Sequence, residues 1–239
     1  MASPAVALDL GRRPYREVLE FQRVLHDRIA SGDDAYPEGG VWLVVEHDPV
    51  ITLGRAAKEE NLLLPRPLLE AQGVDVVAVE RGGDVTYHGP GQLVIYPIRK
   101  LAKFREIVPV VSALENAVID TLRRFGIESH RRHEHRGVYV GRDNICAVGL
   151  AVRRMTTMHG LALNVSTPLD YDRLITPCGM LEFGITSLSA QLGRPVGLGG
   201  TRDTLLDALE GAFTVSFERR HVPADAPLPI GAHTLEIAG

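Results

Sequence analysis

One stretch of the chain, residues 80–98, constrains the fold more than any other. It reads Glu-Arg-Gly-Gly-Asp-Val-Thr-Tyr-His-Gly-Pro-Gly-Gln-Leu-Val-Ile-Tyr-Pro-Ile. Five glycine or proline positions lie between Arg81 and Gln92, yet apolar runs typical of strands flank them at residues 76–79 and 93–98. Glycines leave backbone amides accessible beside polar side chains, so the pattern indicates a binding loop between two strands. A hairpin with a solvated tip is the alternative interpretation.

The rest of the chain predicts one α+β domain over residues 1–239, with residues 222–239 as a tail that is ordered in part. Its 239 residues suffice for a buried core, and no internal repeat or long linker divides them. Strand patterns dominate the middle and helical patterns flank it, which favours a mixed or antiparallel sheet packed against helices.

Hydrophobic periodicity places the individual elements. The predicted helices cover residues 15–29, 67–72, 107–125, 186–192 and 201–217. The predicted strands cover residues 5–10, 41–46, 50–53, 76–79, 93–98, 137–140, 144–152 and 159–165. Pro14 and Gly126 mark a helix start and a helix end, as these residue types often do.

Composition excludes several classes of protein. A formal net charge of −4 and a pI near 6.1 give no reason to expect nucleic-acid binding. Two cysteines are too few for a disulfide scaffold, and the N-terminus lacks the pattern of a signal peptide. No apolar run approaches the 18 residues of a membrane span, so a cytoplasmic location is the default expectation.

The run His-Arg-Arg-His-Glu-His-Arg at residues 130–136 has two interpretations. It is a solvated loop, or it is a basic patch for an acidic protein partner. Its histidines make a poor metal site because the run holds one carboxylate and no cysteine. We therefore expect no metal.

The two cysteines differ in their sequence surroundings. Cys178 lies between Pro177 and Gly179, outside any periodic apolar run, so we expect an exposed thiol in a turn where a substrate can approach. An exposed thiol without a role is the alternative. Cys146 lies within a strand pattern and is predicted to be a small buried hydrophobe. Because it follows Asn144 by two residues, we expect both to face the same side of the strand.

Two histidines, His88 and His159, each precede a glycine at the end of a predicted strand. A single histidine is more often structural than catalytic. Together with a cysteine in a turn, however, they indicate a thiol-dependent acyl transferase.

Four motifs in order resemble those of the lipoyl(octanoyl) transferases, and the resemblance covers residues 8–217. The first is Glu-His-Asp-Pro-Val-Ile-Thr-Leu-Gly-Arg at residues 46–55, and the second is Arg-Gly-Gly-Asp-Val-Thr-Tyr-His-Gly-Pro-Gly-Gln at residues 81–92. The third is His-Gly-Leu-Ala-Leu-Asn-Val at residues 159–165, and the fourth is Pro-Cys-Gly at residues 177–179.

The resemblance implies a fold shared with biotin and lipoate protein ligases, and a reaction without a cofactor. An octanoyl chain passes from acyl carrier protein to a cysteine, here Cys178, and then to a lysine of a lipoyl domain. The acceptors would be the lipoyl domains of 2-oxoacid dehydrogenases and the glycine cleavage H protein, and the enzyme would be a monomer. The residues implied to line the acyl site are Arg81, Gly82, Gly83, Asp84, Val85, Thr86, Tyr87, His88, Ala147, Val148, Gly149, Gly160, Leu161 and Ala162.

The sequence departs from the family at one catalytic position. The family places a lysine beside its cysteine, but this chain has Asn144 there, which cannot hold a positive charge or exchange a proton. Losing such a group typically costs ~10²–10⁴ in rate. Three explanations remain open: His88 or His159 moves the proton, the protein is slow or degenerate, or a natural lysine has been replaced.

Two other functions compete with acyl transfer. An ATP-dependent lipoate protein ligase has a similar fold, but it needs a lysine that this chain lacks at the corresponding strand. A non-catalytic protein that binds an acyl chain or a carrier domain fits the missing lysine, but it gives no reason for an exposed Pro-Cys-Gly sequence.

Overall fold

The computed structural model describes residues 1–132, 135–175 and 184–229 of the chain. Its strands are β1 (Ser3–Arg13), β2 (Val41–His47), β3 (Val50–Leu53), β4 (Asp75–Ala78), β5 (Val85–His88), β6 (Gln92–Ile98), β7 (His130–Arg131), β8 (Gly137–Val140), β9 (Asp143–Arg153), β10 (Thr156–Asn164) and β11 (Val215–His221). Its helices are α1 (Tyr15–Ser31), α2 (Arg66–Ala71), α3 (Ile107–Arg124), α4 (Leu188–Leu192) and α5 (Leu198–Phe213). Short 3₁₀ turns occur at Glu59–Asn61, Phe104–Glu106 and Leu169–Arg173.

Eight of the described strands form a mixed sheet in the order β11-β1-β2-β6-β10-β9-β8-β7. Strands β1, β2 and β11 pair in parallel, and the pairings from β2 through β6, β10, β9 and β8 to β7 are antiparallel. Strands β4, β3 and β5 form a second, three-stranded sheet. This mixed architecture agrees with the predicted α+β class.

Helices cover both faces of the main sheet, which explains why its central strands are buried on both sides. Along β2, Trp42 and Val44 pack with α3 and α5, whereas Leu43 and Val45 pack with α1. Strands β6 and β10 are buried along their whole length. The small sheet has its own apolar cluster, centred on the fully buried Ile51 and Leu69.

The glycine-rich stretch differs from the predicted loop in one respect. Residues 85–88 form β5, which pairs antiparallel with β3. The loop interpretation therefore holds for residues 81–84 and 89–91, whereas Thr86 and Tyr87 lie in a strand. Because glycines flank this short strand on both sides, hydrophobic periodicity does not predict it.

The C-terminal helix was predicted too long. Helix α5 ends at Phe213, and Thr214 adopts a left-handed conformation that turns the chain into β11. Strand β11 lies at the edge of the main sheet beside β1. Its sequence, Val-Ser-Phe-Glu-Arg-Arg-His, is polar enough to lack a clear strand pattern. After it, Val222 and Leu228 are buried, and residues 230–239 lie outside the described ranges.

A β-bulge corrects the prediction that Cys146 and Asn144 face the same side of β9. Tyr139 pairs with Asn144 and Val138 pairs with Cys146, so Ile145 is the extra residue. The bulge shifts the alternation of side chains by one position. As a result Cys146 is fully buried in the main core, as its surroundings predicted, while Asn144 faces the other way.

None of the helices in the described ranges combines the length and the apolar character that crossing a bilayer requires. The same residues contain no group of three or more His, Cys, Asp or Glu side chains arranged to hold a metal ion.

Candidate active site

A cavity of about 640 Å³ lies between the main sheet and the strand–loop segment 81–88. All the described residues that the sequence implicated in catalysis or acyl binding line this cavity. They are Arg81, Gly82, Gly83, Asp84, Val85, Thr86, Tyr87, His88, Asn144, Ala147, Val148, Gly149, His159, Gly160, Leu161 and Ala162. Folding thus brings three separate segments of the sequence to one site.

The cavity has two ends, because its floor follows β9 and β10. The Asn144 end is lined by Asn144, Asn164, Tyr171, Ile175 and Gly184. The His159 end is lined by Arg81, Gly82, Gly149, Leu150, His159 and Gly160. From Asn144 to Gly149 the strand advances ~16 Å, at about 3.3 Å per residue. The two ends therefore offer separate environments to a ligand.

Cys178 falls in residues 176–183, which lie outside the described ranges, so the predicted exposure of its thiol is not tested. The residues on either side of this segment, Ile175 and Gly184, both line the cavity at its Asn144 end. Ile185 forms a parallel bridge with Asn144, whose backbone accepts a 2.9 Å hydrogen bond from the Thr186 N–H.

Asn144 contributes a half-buried amide to this end of the cavity. Its Nδ2 donates to the backbone oxygens of Cys146 (3.2 Å) and Val138 (3.4 Å). All three lysines of the chain, Lys58, Lys100 and Lys103, lie among the described residues, and none lines the cavity. The position occupied by lysine in the family is thus not filled by another lysine from elsewhere in the fold.

His88 connects to the Asn144 end through a chain of buried amides. Its Nδ1 lies 2.8 Å from Gln92 Oε1, and Gln92 Nε2 donates to Asn164 Oδ1 at 2.9 Å. Asn164 Nδ2 donates in turn to the backbone oxygen of Thr186 (3.1 Å) and to the Tyr171 hydroxyl (3.1 Å). His88, Gln92 and Asn164 are at most 6% exposed.

Aromatic rings enclose His88 and keep it uncharged. Its ring stacks on Tyr15 with centroids 5.8 Å apart, and His47 lies 6.0 Å away edge-on. Burial, and after it the neighbouring His47, lowers the pKa of His88 to about 3. Burial likewise lowers the pKa of His47 to about 4. Both imidazoles are therefore neutral at physiological pH.

Residues 81–88 form the roof of the cavity, and Arg81 holds this roof in place at the His159 end. Its Nη2 donates to the backbone oxygen and to Oγ1 of Thr52, both at 2.8 Å. The N–H of Gly82 donates to the Leu150 carbonyl at 3.1 Å, which joins the roof to β9. A Cβ at Gly149 would come within 3.3 Å of Arg81 Cδ, so the roof and the floor are in close contact there.

His159 is held in a strained conformation at the same end. Its φ of +58° is unusual for a residue with a side chain, and its N–H donates to the buried Gln22 Oε1 at 2.9 Å. Its Nε2 lies 3.6 Å from Glu80 Oε2, and Arg23 Nε donates to Glu80 Oε1 at 3.0 Å. The two candidate histidines thus differ in their partners: His88 is linked through amides to the Asn144 end, whereas His159 faces Glu80.

Electrostatic effects at His159 and Glu80 follow from burial and pairing. Burial lowers the pKa of His159 despite the nearby carboxylate. The His159 imidazole and, after it, the Arg23 guanidinium hold the pKa of Glu80 well below its usual range. The pair is therefore a neutral imidazole facing an ionised carboxylate.

Several lining residues were not singled out from the sequence as site residues. They include Tyr15, Gln92, Tyr96, Tyr139, Asn164, Tyr171 and Ile175. Gln92 and Asn164 belong to the quoted motifs, and this was the signal that could have identified them. Tyr15 and Tyr171 lie outside those motifs, and only the fold brings them to the cavity.

The chain matches the family described as the lipoyl protein ligase A/B catalytic domain over residues 14–210. It is 41% identical to an octanoyltransferase of Caldanaerobacter subterraneus subsp. tengcongensis, over 88% of this chain and 91% of that protein. It is also 41% identical to an octanoyltransferase of Syntrophobacter fumaroxidans, over 93% of this chain and 96% of that protein. These findings confirm the resemblance drawn from the four motifs.

Among solved structures, the chain resembles a lipoate-protein ligase A bound with ATP. The TM-score is 0.75, with 16% sequence identity over 93% of this chain and 90% of that one. At this identity the similarity concerns the fold alone. It confirms the predicted lipoate protein ligase-like architecture.

Proposed function

The chain belongs to the octanoyltransferases of the lipoyl protein ligase A/B catalytic domain family, and on that premise we propose that it transfers an octanoyl group to protein. The donor is octanoyl-acyl carrier protein and the acceptor is a lysine of a lipoyl domain, so the reaction begins protein lipoylation. The observation that carries the proposal is the cavity of about 640 Å³, lined by residues of the second and third family motifs and by the strand segment that begins at Asn144. The fourth motif holds Cys178.

The acyl chain lies along the floor formed by β9 and β10 in this proposal. Ala147 pairs with Ala162 there, and Gly149 pairs with Gly160, so small residues leave room above the sheet. Seven carbon–carbon bonds of about 1.5 Å extend less than ~10 Å, which is shorter than the ~16 Å between the two ends. An octanoyl chain that starts at the Asn144 end therefore stops short of His159.

Cys178 serves as the nucleophile in this proposal. Its thiolate attacks the thioester carbonyl of the donor, the carbon–sulfur bond to the carrier breaks, and the octanoyl group becomes a thioester on Cys178. Exchange between two thioesters changes the free energy little, whereas later transfer to an amine is favourable. Chain connectivity supports the assignment, because residue 178 is only three residues from Ile175 at the Asn144 end.

His88 is the better candidate of the two histidines for moving the proton. It connects through Gln92 and Asn164 to the end of the cavity where residues 176–183 join the described chain. His159 lies at the opposite end and faces Glu80. Asn144, in the position of the family lysine, offers hydrogen bonds but no proton.

An ATP-dependent ligase is the competing function, and it has less support. Such an enzyme needs a lysine to handle the adenylate, and none of the three lysines lines the cavity. A carrier-binding protein without catalysis is the second competitor. It leaves the cysteine of the fourth motif without a role.

One transfer assay separates the three functions. Purified protein is incubated with octanoyl-carrier protein and an apo lipoyl domain without ATP, and octanoyl-lysine formation is measured by mass. We expect the octanoylated domain to accumulate. Modification only with free octanoate and ATP would indicate a ligase, and binding of the carrier without modification under either condition would indicate a non-catalytic protein.

A further inference from the structure

The amide chain behind His88 determines which of its ring nitrogens carries the proton. Backbone carbonyl oxygens can only accept hydrogen bonds, so they fix the orientation of any side-chain amide beside them. The Thr186 carbonyl faces Asn164 Nδ2 at 3.1 Å, which leaves Asn164 Oδ1 as the acceptor toward Gln92. The Thr186 carbonyl therefore fixes which atom of the Asn164 amide donates and which accepts.

A backbone carbonyl also fixes the orientation of the Gln92 amide. Its Nε2 lies 3.3 Å from the Tyr87 backbone oxygen and 2.9 Å from Asn164 Oδ1, and both of these atoms accept. Turning the amide over would place its oxygen against two other oxygens. Gln92 Oε1 must consequently be the atom at 2.8 Å from His88 Nδ1. Because this oxygen accepts, Nδ1 donates and carries the proton.

We propose that Gln92 and Asn164 are positioning residues that hold His88 in its Nδ1–H form and so present an unprotonated Nε2 to the cavity. Nε2 has no hydrogen-bond partner among the described residues, while the ring lines the cavity. The role of this nitrogen rests on the proposed function. The protonation form follows from the hydrogen bonds alone.

An unprotonated Nε2 gives the second transfer step a proton acceptor in place of the lysine. The acceptor lysine attacks the thioester carbonyl and a carbon–nitrogen bond forms, while its proton passes to His88 Nε2. The carbon–sulfur bond to Cys178 then breaks, and the imidazolium returns the proton to the departing thiolate. The products are an amide and a free thiol, with no change in the number of protons.

Gln92 also helps the imidazolium that forms briefly. Its Oε1 stays hydrogen-bonded to the Nδ1–H and places the negative end of the amide dipole toward the charged ring. Burial lowers the pKa of His88 to about 3, so the ring is unprotonated throughout the neutral range, and an imidazolium formed during transfer readily gives its proton to a thiolate.

Nitrogen-15 NMR of the histidine-labelled, full-length protein tests the protonation form directly. We expect the His88 signals to show a protonated Nδ1 and an unprotonated Nε2, unchanged from pH 8 to pH 5. The assignment comes from the signals lost in His88→Gln. A protonated Nε2 at pH 7 would overturn the proposal, whether or not the protein is active.

Variants of Gln92 test the role in transfer. Gln92→Leu removes the acceptor at Nδ1, so we expect octanoyl transfer from the Cys178 thioester to the lipoyl domain to slow at least about a hundredfold. Gln92→Glu keeps an acceptor there and should retain transfer within about tenfold. Its carboxylate favours the imidazolium, so the pH profile of transfer should move to higher pH.

Gln191→Leu is the matched control. Gln191 is an exposed glutamine that donates to Thr186 Oγ1 at 2.9 Å but does not belong to the chain that reaches His88. We expect wild-type transfer from this variant. Equal slowing in Gln191→Leu and Gln92→Leu, or full transfer in Gln92→Leu, would overturn the proposal.

Failure of the proposed function looks different from failure of this inference. If the wild type forms no octanoyl thioester while NMR shows the Nδ1–H form, then the acyl transfer and the role of His88 in it are wrong, and the positioning by Gln92 and Asn164 stands. If Gln92→Leu fails to fold, Gln92→Glu and the wild-type NMR spectrum still decide the outcome.

Discussion

Two buried histidines line the cavity, yet they differ in what surrounds them. At the Asn144 end, neutral amides lead from His88 to the chain beside the segment that carries Cys178. At the His159 end, the imidazole faces the charged Glu80, and its backbone is held in a strained conformation by Gln22. In the proposed function the same residue type thus has two roles: His88 transfers a proton, and His159 stabilises the fold.

This difference shows why burial alone does not identify a catalytic histidine. Both rings are at most 6% exposed, and burial lowers the pKa of both. What separates them is the partner of each ring, an amide for His88 and a carboxylate for His159.

The largest expected effect concerns Cys178, the proposed nucleophile. Cys178→Ser should lower octanoyl transfer by about a thousandfold or more, because a hydroxyl in the same place is a far weaker nucleophile. Binding of octanoyl-carrier protein should persist. Kinetics of transfer and a titration of the carrier measure the two properties. Equal loss of both would indicate a fault in folding or docking.

A substitution at the His159 end should lower the free energy of unfolding. A Cβ at Gly160 would overlap the carbonyl oxygen of Ile95 and press on Pro97, so Gly160→Ala should destabilise the fold by about 3 kcal/mol. Urea unfolding measures the change. The control is Gly199→Ala in α5, where a Cβ meets no atom within 4 Å and alanine should stabilise the helix slightly. Equal stability of the two variants would mean that a Cβ at Gly160 does not destabilise the fold.

The next effect is a dependence of stability on pH from the imidazoles beside the cavity. His47 has a pKa of about 4 when folded and about 6.5 when unfolded, so the unfolded chain binds more protons between these values. Its contribution is complete above about pH 6.5 and is lost as the pH falls toward 4. We expect the free energy of unfolding to be about 2 kcal/mol lower at pH 5 than at pH 7 from this residue alone.

Unfolding in urea at pH 5, 6 and 7 measures this slope. His47→Gln removes the titrating group at the cost of its hydrogen bonds to Arg13 and Tyr96, and it should flatten the slope while lowering stability at pH 7. An unchanged slope in the variant would assign the pH dependence to other groups, with His88 as the first to test.

The smallest expected effect comes from restoring the family lysine at position 144. Asn144→Lys places an ammonium group at the Asn144 end and should raise transfer at least tenfold. Asn144→Met is the matched control, because it offers a side chain of similar length without a charge or a proton. If the two variants transfer at the same rate, then His88 already supplies the proton transfer that the lysine performs in the family.

Local patterns predicted most of the fold. Helices α1 and α3 have clear apolar stripes, and β2, β6 and β9 have apolar runs, so these elements were found with small errors at their ends. Strands β5 and β11 were missed because glycines interrupt the first and polar residues dominate the second. Their formation depends on pairing with β3 and β1, which are distant in sequence.

The sequence predicted many of the residues that line the cavity but not how they are arranged. The motifs named the residues of the roof and the floor, which meet at one cavity. The bulge at Ile145, which turns Cys146 into the core, leaves no mark in the sequence. Nor does the sequence reveal that Thr186 and Tyr87 orient the amides behind His88, because those hydrogen bonds join residues from separate elements.

The most direct test of the central claim is the intact mass of the protein after incubation with octanoyl-carrier protein. The proposed function predicts an added mass of one octanoyl group, located on Cys178 by peptide mapping, absent in Cys178→Ser and released when an apo lipoyl domain is supplied. Folded protein that gains no such mass at any pH between 6 and 9 would contradict it.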